Sequence, residues 1–168
     1  MFSKRILISV ITALMLVTIS QFAHSRGRKY MTVNASASIP KTGMTIDSSY
    51  DEKLDNLIPK YKIINAAVKN ESMNLIYLDP AIDRWYIIDR NGKKRKGIIN
   101  LRKDDPDTWD KLPDRLRNLI GYPLMVPTGG TVNIDLLFSS EINLKTFRAL
   151  IFESGFFGQR YKIIMRND

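Results

Sequence analysis

Two short runs of charged residues offer the clearest opportunities for chemistry in this sequence. Five cations lie within the seven residues 90–96, RNGKKRK. Clustered cations gain energy by neutralising a polyanion, so Lys93, Lys94, Arg95 and Lys96 are a candidate site for an acidic glycan or a lipid phosphate. The alternative is a solvated turn whose lysines discourage pairing at a strand edge.

The second run consists of Asp104, Asp105, Asp107 and Asp110, and its carboxylates are spaced like part of a calcium-binding loop. It lacks the glycine and the terminal bidentate glutamate of an EF-hand loop. Aspartates at this spacing are also typical of a helix start, where they favour the positive end of the helix dipole. We therefore expect no metal site and no cofactor.

Catalytic side chains are scarce. The chain has no cysteine, and its one histidine, His24, lies in a segment that we expect to be removed. This excludes Ser-His-Asp and Cys-His catalysis and the usual zinc or copper sites from the mature chain. Gly129-Gly130 lacks the Lys-Ser/Thr that follows in a phosphate loop, and no carboxylate pair stands out for glycoside hydrolysis. Trp85 and Trp109 could stack on a sugar, with core packing as the alternative. The sequence predicts no catalytic residues.

The first 25 residues have the pattern of a signal peptide. Lys4 and Arg5 precede an apolar run at 6–17, and AHS at 23–25 offers small residues for cleavage. The apolar run is shorter than the about 20 residues that a membrane span needs. We expect the remaining chain to be exported, through the periplasm to the cell surface.

Residues 26–168 have the length of one domain, for which we predict an N-terminal extension at 26–40 and a β-rich body at 41–168. Without cysteines, stability has to come from packing, sheet pairing or a partner chain. Once Lys4 and Arg5 are removed, 24 lysines and arginines face 17 acidic residues, a net charge of +7. In an exported protein this charge favours acidic glycans and anionic lipids over nucleic acid, with solubility alone as the alternative.

Most of the chain after residue 30 shows the alternation of β-strands. Asn91-Gly92 lies between two apolar runs in the segment 84–101, which predicts a hairpin with its second arm at Ile98–Leu101. Helical spacing of apolar residues at 104–123 predicts one or two short helical turns, with Asp107 as a possible N-cap. Further strands are predicted at 60–70, 72–79, 131–140, 146–154 and 159–167. The predicted fold is mainly β, an immunoglobulin-like antiparallel β-sandwich with a short helical insertion, with an α+β domain as the alternative.

The strictest alternation in the chain is MTVNASASIP, residues 31–40. Five apolar residues at every second position would point to one side of an extended strand: Met31, Val33, Ala35, Ala37 and Ile39. The small side chains among them suit a narrow groove between two sheets, and a free extension can reach a neighbour. Two interpretations are open: an edge strand of its own domain, or a strand that completes the sheet of another copy.

This segment resembles the N-terminal donor strand of chaperone–usher pilus subunits, most closely the cysteine-free colonisation-factor pilins. The signal-peptide pattern, the length, the absence of cysteine and the alternating Tyr161, Ile163 and Met165 near the C-terminus are similar too. The resemblance implies an immunoglobulin-like sandwich that lacks its last strand. A periplasmic chaperone, recognising the C-terminal strand, would fill the groove during export. The next subunit's donor strand would replace the chaperone at an outer-membrane usher.

Three functions remain open on this basis. The first is a structural subunit of a bacterial surface fibre, a homo- or hetero-polymer assembled by donor-strand exchange, with adhesion as a further option. The second is a periplasmic or outer-membrane accessory subunit of a secretion or envelope complex. The third is a carbohydrate- or lipid-binding module or a small enzyme.

Overall fold

The computed structural model describes residues 43–165 and, for the strand Val33–Ala35, the backbone. The strands of this part of the chain are β1 (Val33–Ala35), β2 (Met44–Tyr50), β3 (Tyr61–Asn70), β4 (Ile76–Tyr77), β5 (Arg84–Ile88), β6 (Lys94–Lys96), β7 (Met125–Val126), β8 (Thr131–Ser139), β9 (Ala149–Ser154) and β10 (Gln159–Met165). Between β6 and β7 lie three short helices, α1 (Leu101–Asp104), α2 (Pro106–Lys111) and α3 (Asp114–Leu119). Single 3₁₀ turns are formed by Glu52–Leu54 and Leu144–Thr146.

The strands form three antiparallel sheets. The five-stranded sheet has the order β1-β10-β9-β5-β6, the three-stranded sheet β2-β3-β8, and the two-stranded sheet β4-β7. The prediction of a mainly β chain with antiparallel sheets and a short helical insertion is therefore confirmed.

The predicted hairpin forms, but its second arm differs from the prediction. Gly92 takes a positive φ of 78°, as a tight turn requires. The strand that follows is the basic segment β6, and the apolar run at Ile98–Leu101 is not its second arm. Strand pairing resumes directly after a tight turn, so charged residues that directly follow it are drawn into the sheet.

Gly97 is the point at which the chain passes from the five-stranded to the three-stranded sheet. Its N–H donates a hydrogen bond of 2.8 Å to the Trp85 carbonyl, and Ile98 then pairs with Leu137 of β8. A Cβ atom at residue 97 would lie only 2.9 Å from the Phe138 ring. The two sheets therefore meet at a residue that leaves no space for a side chain.

The main hydrophobic core takes residues from both large sheets. The five-stranded sheet contributes Trp85, Phe152 and Ile163, and the three-stranded sheet contributes Ile46 and Leu136, all with at most 1% of their surface exposed. The Trp85 ring stacks on the Phe152 ring with centroids 4.3 Å apart. Trp85 is therefore a core residue and is not available to stack on a sugar.

A second, smaller cluster lies between the helical segment and the other face of the three-stranded sheet. Ile63 of β3 and Leu137 of β8 pack there against Leu101, Leu112 and Ile120. Neighbouring residues in a strand point to opposite faces. The helices thus bury the second face of this sheet.

The helical segment begins slightly earlier than its pattern predicts. Asn100 caps α1, and the side chain of Asp105 accepts a hydrogen bond from the Thr108 N–H at the start of α2. The N-cap of α2 is therefore Asp105, where the sequence suggested Asp107. Pro106 occupies the first turn, where a missing N–H costs no helical hydrogen bond.

Gly97→Ala should lower the free energy of unfolding by about 1–3 kcal/mol, because the new methyl group has to displace the Phe138 ring or the backbone. Urea unfolding followed by tryptophan fluorescence measures this loss. Gly121→Ala is the matched control, since its Cβ would meet nothing closer than the Asn118 carbonyl at 3.8 Å. Equal stability of the two variants would contradict the close approach at Gly97.

Candidate functional site

The N-terminal strand β1 lies on the edge of the five-stranded sheet, next to the C-terminal strand β10. Their antiparallel register places Val33 opposite Met165, Asn34 opposite Ile164, and Ala35 opposite Ile163. The backbone of β1 also lies close to β2 of the three-stranded sheet. In this structure the strand pairs within its own chain, at the seam where the edges of the two large sheets meet.

The structure describes only part of the predicted donor segment. Val33 and Ala35 lie in β1, and their backbone pairs with β10. Met31, Ala37 and Ile39 lie outside the described residues. The strand with which β1 pairs, β10, is described over its whole length.

The alternating residues of β10 lie in the core of their own chain. Tyr161, Ile163 and Met165 are 4%, 0% and 7% exposed and belong to the main cluster. The Tyr161 ring stacks on Phe152 with centroids 5.7 Å apart. Their predicted role in chaperone recognition stays a prediction. Because the apolar face of β10 is buried, the part of β10 that a partner could contact is the backbone edge that β1 occupies here.

The opposite face of this sheet carries an ionic cluster around Glu153. Its Oε1 accepts hydrogen bonds from Lys94 Nζ on β6 and Arg160 Nε on β10, both at 3.0 Å. The hydrogen bond from Lys94, together with the charge of Arg160, lowers the pKa of Glu153. Lys94 also lies 3.6 Å from the centroid of the Tyr86 ring. These contacts tie β6, β9 and β10 together across the surface of the sheet.

The predicted cation cluster is partly neutralised by its own chain. Lys94 pairs with Glu153, and Arg95 Nε donates to Asp89 Oδ2 at 3.0 Å. Burial acts to raise the pKa of Asp89, but hydrogen bonds from the Lys93 N–H and from Arg95 outweigh it and lower that pKa. Among the described residues, Lys93 and Lys96 form no ion pair. Binding of a polyanion stays a prediction, for which only these two of the four residues are unpaired.

A polar cleft of about 440 Å³ lies beside the same hairpin. Arg90 and Asn91 line one side, and Glu141 and Asn143 from the loop after β8 line the other. No sequence pattern predicts this cleft, because the two loops are far apart in the chain. Its lining mixes carboxylate and guanidinium groups, which does not favour a polyanion.

Asp105, from the acidic run, is committed to a structural hydrogen-bond network. Its carboxylate accepts from the Thr108 hydroxyl at 2.7 Å, the Thr108 N–H at 3.1 Å and the Tyr61 hydroxyl at 2.9 Å. These bonds, those from Thr108 first, lower the pKa of Asp105 to about 2. Burial and the same carboxylate raise the pKa of Tyr61 to about 12. Within residues 43–165, no three acidic or histidine side chains are grouped to hold a metal ion.

A buried carboxylate that the sequence did not single out organises the turn between β9 and β10. Asp83 is fully buried, and its Oδ1 accepts from the Gly155 N–H at 2.9 Å. Its Oδ2 accepts from the Asp79 N–H and the Tyr122 hydroxyl, each at 2.9 Å, and Trp85 Nε1 donates to that hydroxyl at 3.1 Å. Burial raises the pKa of Tyr122 far above its ordinary value. The polar atoms of this network bind one another and so stabilise the turn.

Exposed apolar side chains gather at the end of the molecule that this turn forms. We call this set the apolar patch: Leu75, Tyr77, Ile82, Leu124, Met125 and Phe156, each at least 44% exposed. Tyr77 and Met125 are direct partners across the β4–β7 pair, and the Tyr77 and Phe156 ring centroids are 5.5 Å apart. Exposed apolar groups that lie side by side are characteristic of surfaces that contact another molecule.

Acid should remove the stability that Asp105 contributes. Its pKa is about 2 in the folded chain against an ordinary value of 3.8, so the contribution is complete above about pH 4 and disappears as the pH falls towards 2. We expect Asp105→Asn to be less stable than the parent at pH 7 and to lose less stability between pH 4 and pH 2. Denaturant unfolding across this range measures the difference. Exposed Asp107→Asn is the control, and parallel pH curves for parent and Asp105→Asn would contradict the assignment.

No family model, curated protein or solved structure matches this chain. Among the described residues, no helix is long and apolar enough to cross a membrane. The resemblance to pilus donor strands therefore rests on the sequence pattern alone. The structure itself supplies a sheet edge occupied by the chain's own N-terminal strand, a partly neutralised basic hairpin and an exposed apolar patch.

Proposed function

We propose that this chain is a structural subunit of an exported assembly of the surface-fibre type, in which the N-terminal strand of one copy completes the sheet of a neighbour. The observation that carries the proposal is the position of β1, paired with β10 of one sheet and close to β2 of the other. The fold that we propose with this function is an immunoglobulin-like sandwich in which β1 lies between the edges of the two sheets.

The pairing of β1 with β10 depends on backbone groups and on a register, and both are the same in every copy. A strand from a neighbouring copy can therefore form the same hydrogen bonds as the chain's own strand. The balance between the two arrangements then depends on protein concentration and on the connection between β1 and β2. Strand exchange needs no contact that the single chain lacks.

Two single-cysteine variants test the exchange. Asn34 and Ile164 are opposite each other in the β1–β10 pair, and the chain has no cysteine of its own. Opposed residues in antiparallel strands are about 4.5–5.5 Å apart at Cα, which suits a disulfide. Asn34→Cys and Ile164→Cys chains, unfolded together and refolded under oxidising conditions, should form a disulfide between unlike chains in a yield that rises with concentration.

Asn34→Cys mixed with Lys96→Cys is the matched control, because residue 96 is exposed on the opposite edge of the same sheet. It measures disulfides that arise from random collision. A yield of unlike pairs no higher than this background would overturn strand exchange.

The double variant Asn34→Cys/Ile164→Cys then separates fibre from other assemblies. A ladder of disulfide-linked chains is the expected result, whereas a closed pair alone would contradict the fibre and leave exchange standing. A single closed chain at every concentration would favour the second candidate, an accessory subunit of a secretion or envelope complex. The pairing of β1 within its own chain supports that candidate.

A further inference from the structure

We infer that the apolar patch is a contact surface for a second copy of this chain, namely the copy whose N-terminal strand lies on β10. This inference rests on the proposed strand exchange and adds the place where the bodies of the two copies touch. Three features support it: the direction of β1, the position of Gly43 and the number of residues between them.

The direction of β1 leads towards the patch. From Val33 opposite Met165 to Ala35 opposite Ile163, the strand runs along β10 towards the β9–β10 turn. Phe156 lies in that turn, with its ring 5.5 Å from Tyr77. A donated strand in this register therefore points its C-terminal end, and with it the body of the donor, at the patch of the acceptor.

Gly43 marks the point at which the body of the donor begins. Its carbonyl accepts a hydrogen bond from the Glu71 N–H, and it lies against Ser72. The neighbouring Asn70 donates to the Val126 carbonyl, in the strand pair that also carries Tyr77 and Met125. The body of each copy thus begins beside its own apolar patch.

The reach of the chain limits how far apart the two bodies can be. Only residues 36–42 lie between β1 and Gly43. Seven residues span at most about 25 Å when fully extended. A donor that places β1 on a neighbour's β10 therefore holds its own Gly43, which lies beside its own patch, within about that distance of the neighbour's β10. Apposition of the two patches removes apolar surface from water on both copies.

The distribution of charge bears on the alternative occupant, an anionic membrane. The turn of the basic hairpin, residues 89–93, lies beyond Ile88 and Ala149, at the far end of the β5–β9 pair from the patch. Arg160, nearer the patch, is paired with Glu153. Membrane-surface binding uses apolar and cationic groups side by side. The turn residues Arg90 and Lys93 lie at the opposite end from the patch, whereas Arg84 and Lys96 lie nearer to it. Charge therefore does not decide between the two occupants, and the reach of the chain is what selects the second copy.

The test adds Tyr77→Ser and Phe156→Ser, as a pair, to both single-cysteine chains described above. We expect the yield of disulfides between unlike chains, at limiting protein concentration, to fall about tenfold, as for loss of central apolar side chains of an interface. Leu119→Ser is the matched control, because Leu119 and Phe156 are both 57% exposed and Leu119 lies on α3 outside the patch. The control should keep the parent yield.

Each other result has a definite meaning. An unchanged yield in the Tyr77→Ser/Phe156→Ser chains overturns the patch contact and leaves strand exchange intact. No disulfide between unlike chains in the parent overturns both proposals. Flotation of the parent, but not of the patch variant, with phosphatidylglycerol vesicles would replace the second copy by a lipid surface. Should the double substitution prevent folding, Met125→Ser, at a residue 48% exposed, takes its place.

Discussion

The edge of β10 is the constraint on which the arrangement of this chain depends. One face of the strand is buried in the core through Ile163 and Met165, so the strand cannot be removed without opening the interior. Its outer edge nevertheless carries backbone groups that pair with any strand of suitable register, and exposed edges of this kind lead to association. In the described structure β1 occupies that edge. Whether β1 comes from the same chain or from a neighbour decides between a closed subunit and an assembly.

The other edge of the same sheet is protected differently. There β6 consists of Lys94, Arg95 and Lys96, and charged residues on an edge strand discourage further pairing. Ion pairs with Glu153 and Asp89 hold two of these side chains in place. The basic hairpin can therefore be understood first as protection of an edge. This directs strand pairing to β10, the edge that the alternating N-terminal segment fits.

Two interior features fix the surfaces that a partner would meet. Gly97 allows the chain to pass between the sheets against the Phe138 ring. Asp83 holds the β9–β10 turn through the Gly155 N–H, which places Phe156 beside Tyr77. Burial of a carboxylate is tolerated only when hydrogen bonds compensate it, and several backbone and side-chain donors do so here. The apolar patch is thus held in place by a polar network beneath it.

Local patterns in the sequence determined the positions of most strands, the turn at Asn91-Gly92 and the helical segment after residue 100. They could do so because alternation, helical spacing and turn chemistry depend on residues close together in the chain. Local pattern was less accurate at 72–79, where it predicted a strand over the whole segment but only Ile76–Tyr77 forms one. Its partner, Met125–Val126, lies far along the chain and is as short.

Only the tertiary structure decided which of these elements meet. The pairing of Lys94 with Glu153, the burial of Asp83 and the joining of Tyr77, Met125 and Phe156 in one patch all link distant segments. The same holds for the N-terminal strand. Alternation in MTVNASASIP determines that one side of a strand is apolar, but backbone hydrogen bonds are alike at every sheet edge. The choice of β10 as its partner therefore had to come from the fold.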